Sequence, residues 1–332
     1  MSNALAETTR HEEREHRVLA RPTALLIATD GTPQSDAAVS FTRLLALDHQ
    51  SAVSALTVVP RAPVPWGTID PSLVIEYERG VHEEARDRAR AQVDKFGEPG
   101  WDVEVLTGDP ATTIAAQARE SHARLVVVGL GGHGVAARLF GNETALRLIR
   151  ASQTPVLAVH PRLGALPRRV MVAMDFSESS IEAAQLALEI AAPGATMTLA
   201  HVVPWERKDY IPEHWFREHE AYIDGQLKRV TGWLERPTDT RIHQKVLYGK
   251  PGPALLACAE ELNVDLVVAG THGRGLLGRM LGGETVAKLV RGASRSILIL
   301  PAAAAFQRFE QIEPLSPSDN GNEDKAGTQS HE

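Results

Sequence analysis

The sequence predicts an α/β protein made of two tandem, doubly wound domains, each a five-stranded parallel sheet flanked by helices. Three observations predict it. The chain has 332 residues, enough for two domains of ordinary size. Its second half repeats landmarks of the first half in order. Each half alternates short apolar runs with amphipathic stretches, the sequence form of successive βαβ units around a parallel sheet.

The repeat is explicit. Gly108-Asp109-Pro110-Ala111 is answered by Gly249-Lys250-Pro251-Gly252, an offset of 249 − 108 = 141. The same offset carries Leu125-Val126-Val127-Val128-Gly129 onto Leu266-Val267-Val268-Ala269-Gly270. It also carries Gly132 onto Gly273, Gly141 onto Gly282, Glu143-Thr144 onto Glu284-Thr285, and Arg150 onto Arg291. Near the domain starts the offset is 175 − 30 = 145, matching Ala28-Thr29-Asp30 with Ala173-Met174-Asp175. A loop-length difference between the copies is the expected cause of that slip. Such ordered agreement marks a duplication.

Strands are expected at residues 24–29, 53–59, 103–106, 125–128 and 156–160 in the first copy. In the second they fall at 170–174, 196–203, 240–247, 266–269 and 297–300. Helical patterns fill the gaps, among them 179–192 and 253–262, and Ser177 or Ser179 is placed to cap the helix after Asp175. The domains are assigned to residues 21–161 and 168–302, with 162–167 as a linker punctuated by Pro and Gly. Residues 1–20 and 303–332 lack apolar periodicity and read as a flexible N-terminal and a disordered C-terminal tail.

Composition bounds the function. Hydrophobic residues at 43% and charged residues at 23% are ordinary for a globular protein. A net charge of -7 gives nucleic acid no electrostatic footprint to bind. The single Cys258 excludes an intrachain disulfide and, inside a helical pattern, reads as a small buried hydrophobe. No apolar run reaches the length of a membrane span, and the polar N-terminus is unlike a secretory signal. The expectation is a cytoplasmic protein with no membrane contact.

Open parallel sheets bind ligands beyond the carboxyl ends of the strands, where the winding direction reverses. Two strand ends stand out in each copy. The first strand runs into Asp30-Gly31-Thr32 or Asp175-Phe176-Ser177, and the fourth into Gly129–Gly134 or Gly270–Gly275. If these strands are neighbours at the reversal, an acid and a glycine loop face one crevice. Glycine there lets backbone N–H groups approach an anion, and the next helix adds its positive N-terminal end. The first loop formally fits G-x-G-x-x-G, yet a dinucleotide fingerprint belongs after the first strand with an acid about 20 residues on. Here it follows the fourth strand and that acid is missing. Neither copy holds G-x-x-x-x-G-K-[ST], which excludes a P-loop NTPase.

Taken together, Val172-Ala173-Met174-Asp175-Phe176-Ser177-Glu178-Ser179 and Gly270-Thr271-His272-Gly273-Arg274-Gly275 resemble the universal stress protein family. The resemblance covers both copies, about residues 20–302, and is strongest in the second. It implies strand order 3-2-1-4-5 and, as in many members, binding of ATP, with or without Mg²⁺. Carried over by position, the nucleoside end falls to Ala28, Thr29 and Asp30, and to Ala173, Met174, Asp175 and Val202. Ribose and phosphate contacts fall to Gly129, Gly132, Gly270, His272 and Gly273. The distal phosphates fall to Gly141, Asn142 and Thr144, and to Gly282, Gly283, Glu284 and Thr285.

The family pattern is G-x2-G-x9-G-[ST], and this chain departs from it. Gly132 to Gly141 leaves 141 − 132 − 1 = 8 residues, with Asn142 at the hydroxyl position. Gly273 to Gly283 leaves 9, and Glu284 stands there instead. A carboxylate repels phosphate unless Thr144 and Thr285 turn inward. The second copy is the better site.

His133 and His272 read as loop residues rather than catalysts, since no acid or nucleophile is fixed beside them. Arg138 and Arg279 divide evenly between phosphate contacts and a solvated helix face. Trp66, Trp205 and Trp215 read as cover for the sheet edge or the helix below. The last strands, Val156-Leu157-Ala158-Val159 and Ile297-Leu298-Ile299-Leu300, are apolar edges that invite pairing. Pairing them within the chain gives a pseudo-symmetric internal dimer, and a homodimer of two such chains is compatible with it. No nucleophile–base pair, metal cluster or carboxylate pair is visible. The functional expectation is a nucleotide-binding stress-response switch with an unidentified protein partner, not an enzyme beyond slow incidental ATP hydrolysis. The alternative is a scaffold that binds no nucleotide. An enzyme acting on an activated phosphate lacks its catalytic group.

Overall fold

The computed structural model describes residues 24–61, 70–131, 142–204, 213–235, 237, 239–271, 283–302 and 304. In the first half, strands β1 (Ala24–Ala28), β2 (Ala52–Val59), β3 (Asp102–Thr107), β4 (Leu125–Gly129) and β5 (Val156–Val159) alternate with helices. The helices are α1 (Asp36–His49), α2 (Pro71–Phe96), α3 (Pro110–Glu120) and α4 (Asn142–Ala151). The second half repeats the order with β6 (Arg169–Ala173), β7 (Thr196–Val203), β8 (Arg241–Tyr248), β9 (Leu266–Gly270) and β10 (Ser296–Leu300). Its helices are α5 (Glu178–Ile190), α6 (Glu213–Trp233), α7 (Pro251–Glu261) and α8 (Gly283–Arg291).

All ten strands join one sheet of order β3-β2-β1-β4-β5-β10-β9-β6-β7-β8. Within each half every pairing is parallel and the order is 3-2-1-4-5. The apolar last strands meet each other: β5 and β10 pair antiparallel, with Leu157 opposite Leu298 and both fully buried. The two halves are thus related by a pseudo-two-fold axis through the sheet. Across it, Arg291 of α8 forms an ion pair with Glu143 of α4 at 2.6 Å.

Burial follows sequence character. The continuous apolar runs of β4, β5, β9 and β10 are buried at every residue, as strands covered on both faces require. The outermost strand β3 instead alternates, with Val103 and Val105 buried and Asp102 and Glu104 exposed. One continuous core lies under α1, α2, α5 and α6, and a second on the opposite face under α3, α4, α7 and α8. Among the described residues, no helix is long and apolar enough to cross a membrane.

The change of offset lies mostly in a helix rather than a loop. The offset is 145 at β1, 196 − 52 = 144 at β2, and 141 at Gly108. Most of the loss therefore falls between the second and third strands, where α2 has 26 residues and α6 has 21. The linker is also more ordered than its composition predicts. Leu163 is buried in the first core and its N–H donates to His160 O at 2.9 Å.

Candidate functional site

The chain reverses its winding between β1 and β4, which are hydrogen-bonded neighbours, and again between β6 and β9. Asp30 follows β1 by two residues and Gly129 ends β4; Asp175 and Gly270 occupy the same places in the second half. The acid and the glycine of each half therefore stand at the ends of two neighbouring strands. Ala28 and Ala173 close the strands, and Thr29 and Met174 donate their N–H groups to Leu56 O and Ala200 O, each at 2.9 Å.

Each acid first serves its own turn. Asp30 Oδ1 accepts from Thr32 N at 3.0 Å and from Thr32 Oγ1 at 2.6 Å. Asp175 Oδ1 accepts from Ser177 N at 3.0 Å, and Ser177 in turn caps α5 by accepting from Ser180 N at 3.2 Å. Ser177, not Ser179, is therefore the cap. The second carboxylate oxygen of each acid receives no hydrogen bond from a described residue, so each retains an acceptor at the strand end.

The turns are held from below by different devices. In the first half Gln92 of α2 reaches in, 5% exposed, donating to Thr32 O at 2.7 Å and Asp36 Oδ1 at 2.6 Å while accepting from Thr29 Oγ1. In the second half His201 of β7, 4% exposed, donates from Nδ1 to Met174 O at 2.8 Å. A carbonyl only accepts, which fixes the Nδ1–H tautomer. Burial holds the His201 pKa below its ordinary value. Its ring stacks on Phe176 with centroids 4.7 Å apart. Phe176 has φ +63° where the first half has Gly31 at +71°. A left-handed conformation costs a phenylalanine on the order of 1–2 kcal/mol, and the stack fixes the ring that adopts it.

Gly129 and Gly270 have a packing reason to be glycine. A Cβ on Gly129 would lie 2.9 Å from Gln34 O, and one on Gly270 2.6 Å from Ser179 Oγ and 2.8 Å from Ser179 C. The helix after the first strand of each half therefore leans on the fourth strand's end. Any ligand contact at these residues is left to the backbone.

At the helix entrances, Thr144 and Thr285 are buried, at 9% and 4% exposure. Glu284 is exposed and bonds Lys288 of its own helix at 2.8 Å, which holds its pKa below the ordinary value. Glu143 is likewise drawn away, to Arg291, whose hydrogen bond lowers the Glu143 pKa. Asn142 Oδ1 is enclosed with no partner among the described residues. Gly283 is exposed with open space around it, and Val202 is half-buried on β7. Gly132, Gly141, His272, Gly273 and Gly282 lie outside the described residues, as do His133, Arg138, Arg279, Trp66, Trp205 and the Trp215 side chain.

Gln92, His201 and Phe176 are the site residues that sequence reading missed. Gln92 sits on an amphipathic helix 63 residues from Thr29, with no motif to mark it. Phe176 had a signal, because it replaces the glycine of the other copy.

Fold and site together define a tandem doubly wound α/β protein with an acid and a glycine strand end at each of its two topological switch points. The universal stress protein family model matches residues 23–160 and 167–301; the chain belongs to that family, with one domain in each half. A universal stress protein of Mycolicibacterium smegmatis is 27% identical over 290 residues, covering 83% of this chain and 96% of its own. One from Mycobacterium tuberculosis is 27% identical over 305 residues, covering 83% and 94%. The solved structure of a universal stress protein from Archaeoglobus fulgidus has the same fold, with a TM-score of 0.57 at 20% identity, over 85% of this chain and 97% of that one.

Proposed function

We propose that the chain is an adenine-nucleotide-binding stress-response protein that works as a switch rather than by turnover. The observation that carries this reading is the pairing, in each half, of a carboxylate having an unused acceptor oxygen with a glycine strand end at the switch point. A ribose or base donor satisfies such an acceptor, while the N–H groups of Leu130 and Thr271 already donate to Val159 O and Leu300 O.

Tested against the residues present, the group fits at its nucleoside end. Asp30 and Asp175 would hold the nucleoside beside Thr29, Met174 and Val202. Asn142, with its enclosed and unpaired amide oxygen, would take a donor near the distal end. The carboxylate of Glu284, bonded to Lys288, is turned to its own helix rather than to a phosphate. Bound ATP would supply phosphate charge beyond the fourth strand's end, and any Mg²⁺ would ride on its phosphates and water. Occupancy then biases the loop and the helix behind it, and with them the choice of protein partner. A cytoplasmic location and a contact with an unidentified protein belong to the same reading.

The packing demand at Gly129 and Gly270 favours a second reading, a scaffold whose crevices bind no nucleotide, because those glycines are needed with or without a ligand. Calorimetric titration of the whole chain with ATP and Mg²⁺ separates the two. Binding is expected, weakened by Asp175→Ala more than by Asp30→Ala. No heat and no thermal stabilisation at millimolar ATP leaves the scaffold.

A further inference from the structure

The ten-stranded sheet ends in two strands that no described strand covers, β3 at one side and β8 at the other. Both are regular. β8 pairs with β7 over all eight residues and β3 with β2 over all six, without a bulge or a proline. Edges that must stay single are usually blunted by such devices or by charge. Here only charge is used, and its sign differs between the two ends.

On the face shared with α3, β3 presents Asp102 and Glu104. On the face shared with α7, β8 presents Arg241 and His243, while Lys245 beside them is already paired with Glu261 of α7 at 2.7 Å. Asp102, Glu104, Arg241 and His243 are exposed. The helices α3 and α7 lie on the same side of the sheet, because the two halves meet in an antiparallel pair over a continuous core. For the same reason β3 and β8 run in opposite directions. A second copy moved sideways along the sheet brings its β3 against β8 antiparallel, with the acidic row facing the basic row on one face. Two β8 edges, or two β3 edges, would instead set like charges opposite each other, which disfavours pairing.

The other face agrees. Ile242, Val246 and Tyr248 of β8 are only half-buried under α6, whereas Val103 and Val105 of β3 are buried under α2. On α6 itself, Trp233 is 42% and Tyr222 62% exposed. The β8 edge therefore carries apolar surface that a neighbouring strand and its helix would cover.

We propose that the chain associates head to tail with copies of itself, the acidic edge β3 of one copy pairing with the basic edge β8 of the next. The contact is heterologous, so it propagates unless rotation closes it into a ring. It uses neither crevice and does not depend on the nucleotide reading.

Sedimentation velocity of the full chain over a concentration series tests it. Wild type is expected to grow beyond one chain with concentration and to shrink as salt rises. Arg241→Glu with His243→Glu makes both edges acidic, and Asp102→Arg with Glu104→Arg makes both basic. Each variant alone is expected to associate about tenfold more weakly or worse. An equimolar mixture of the two should regain association, because every acidic edge then meets a basic one, and that rescue also shows both variants folded. A wild type that stays a single chain at every concentration overturns the proposal. So do variants that associate like wild type, or a mixture no better than its components.

Discussion

The imidazole of His201 donates to the carbonyl of Met174 across 2.8 Å, and so fixes, from inside the core, the turn that carries Asp175. The residue is almost fully buried and its pKa lies below the ordinary histidine value, first because burial penalises the imidazolium. Protonation therefore favours the unfolded chain, where histidine titrates near about 6.5. Stability from this group is complete above that pH and is lost as pH falls below it towards the folded-state pKa. Urea unfolding between pH 7 and pH 5 should show the loss. His201→Asn, which keeps a donor but does not titrate, should have a shallower slope; an unchanged slope refutes the assignment.

Gly270→Ala should destabilise by about 1–3 kcal/mol, the usual cost of overpacking a tight contact. The clash is with Ser179 backbone as well as its hydroxyl, so it cannot be relieved by a rotamer change alone. Gly283→Ala, at the first position of nine-residue α8 and with nothing within 4 Å, should stay within about 0.5 kcal/mol of wild type. Thermal melts of the pair distinguish a packing glycine from one with open space around it.

Gln92→Leu removes the bridge between α2 and the Asp30 turn. It removes hydrogen bonds to Thr29, Ser35, Thr32 O and Asp36, and although the first three keep other partners, each lost bond is worth about 0.5–1.5 kcal/mol. A loss of about 2–3 kcal/mol in chemical unfolding is expected, together with greater amide exchange in the first half than in the second. Equal exchange in both halves would refute a role for Gln92 that is specific to the first turn.

Ser177→Ala deletes the cap of α5 and should cost about 1 kcal/mol. Ser179→Ala is the control, since Ser179 is not the cap. Equal losses in both would mean that packing against Gly270, rather than capping, accounts for the serines here.

Most strand positions were legible because strand character is local. Unbroken aliphatic runs such as Leu125–Val128 and Ile297–Leu300 mark strands buried on both faces, and the observed bounds differ from the expected ones by a residue or so. The acids and glycines were legible as a pair because the duplication repeats them. Their second task was not. That Gly270 must be glycine for Ser179, 91 residues away in sequence (270 − 179), is a contact with no local signature.

By itself, then, the sequence determined the duplication, the α/β class, the strand order through its family resemblance, and the place of both acids at strand ends. These follow from periodicity, composition and repetition, which act over a few residues. Tertiary structure alone decided what those residues lean on. It decided that Gln92 holds one turn and His201 with Phe176 the other, that Glu143 is drawn across the pseudo-two-fold to Arg291, and that an acidic and a basic edge close the two ends of one sheet. Each of these depends on packing between segments far apart in the chain, where direction and distance are set by the whole fold and not by neighbours in sequence.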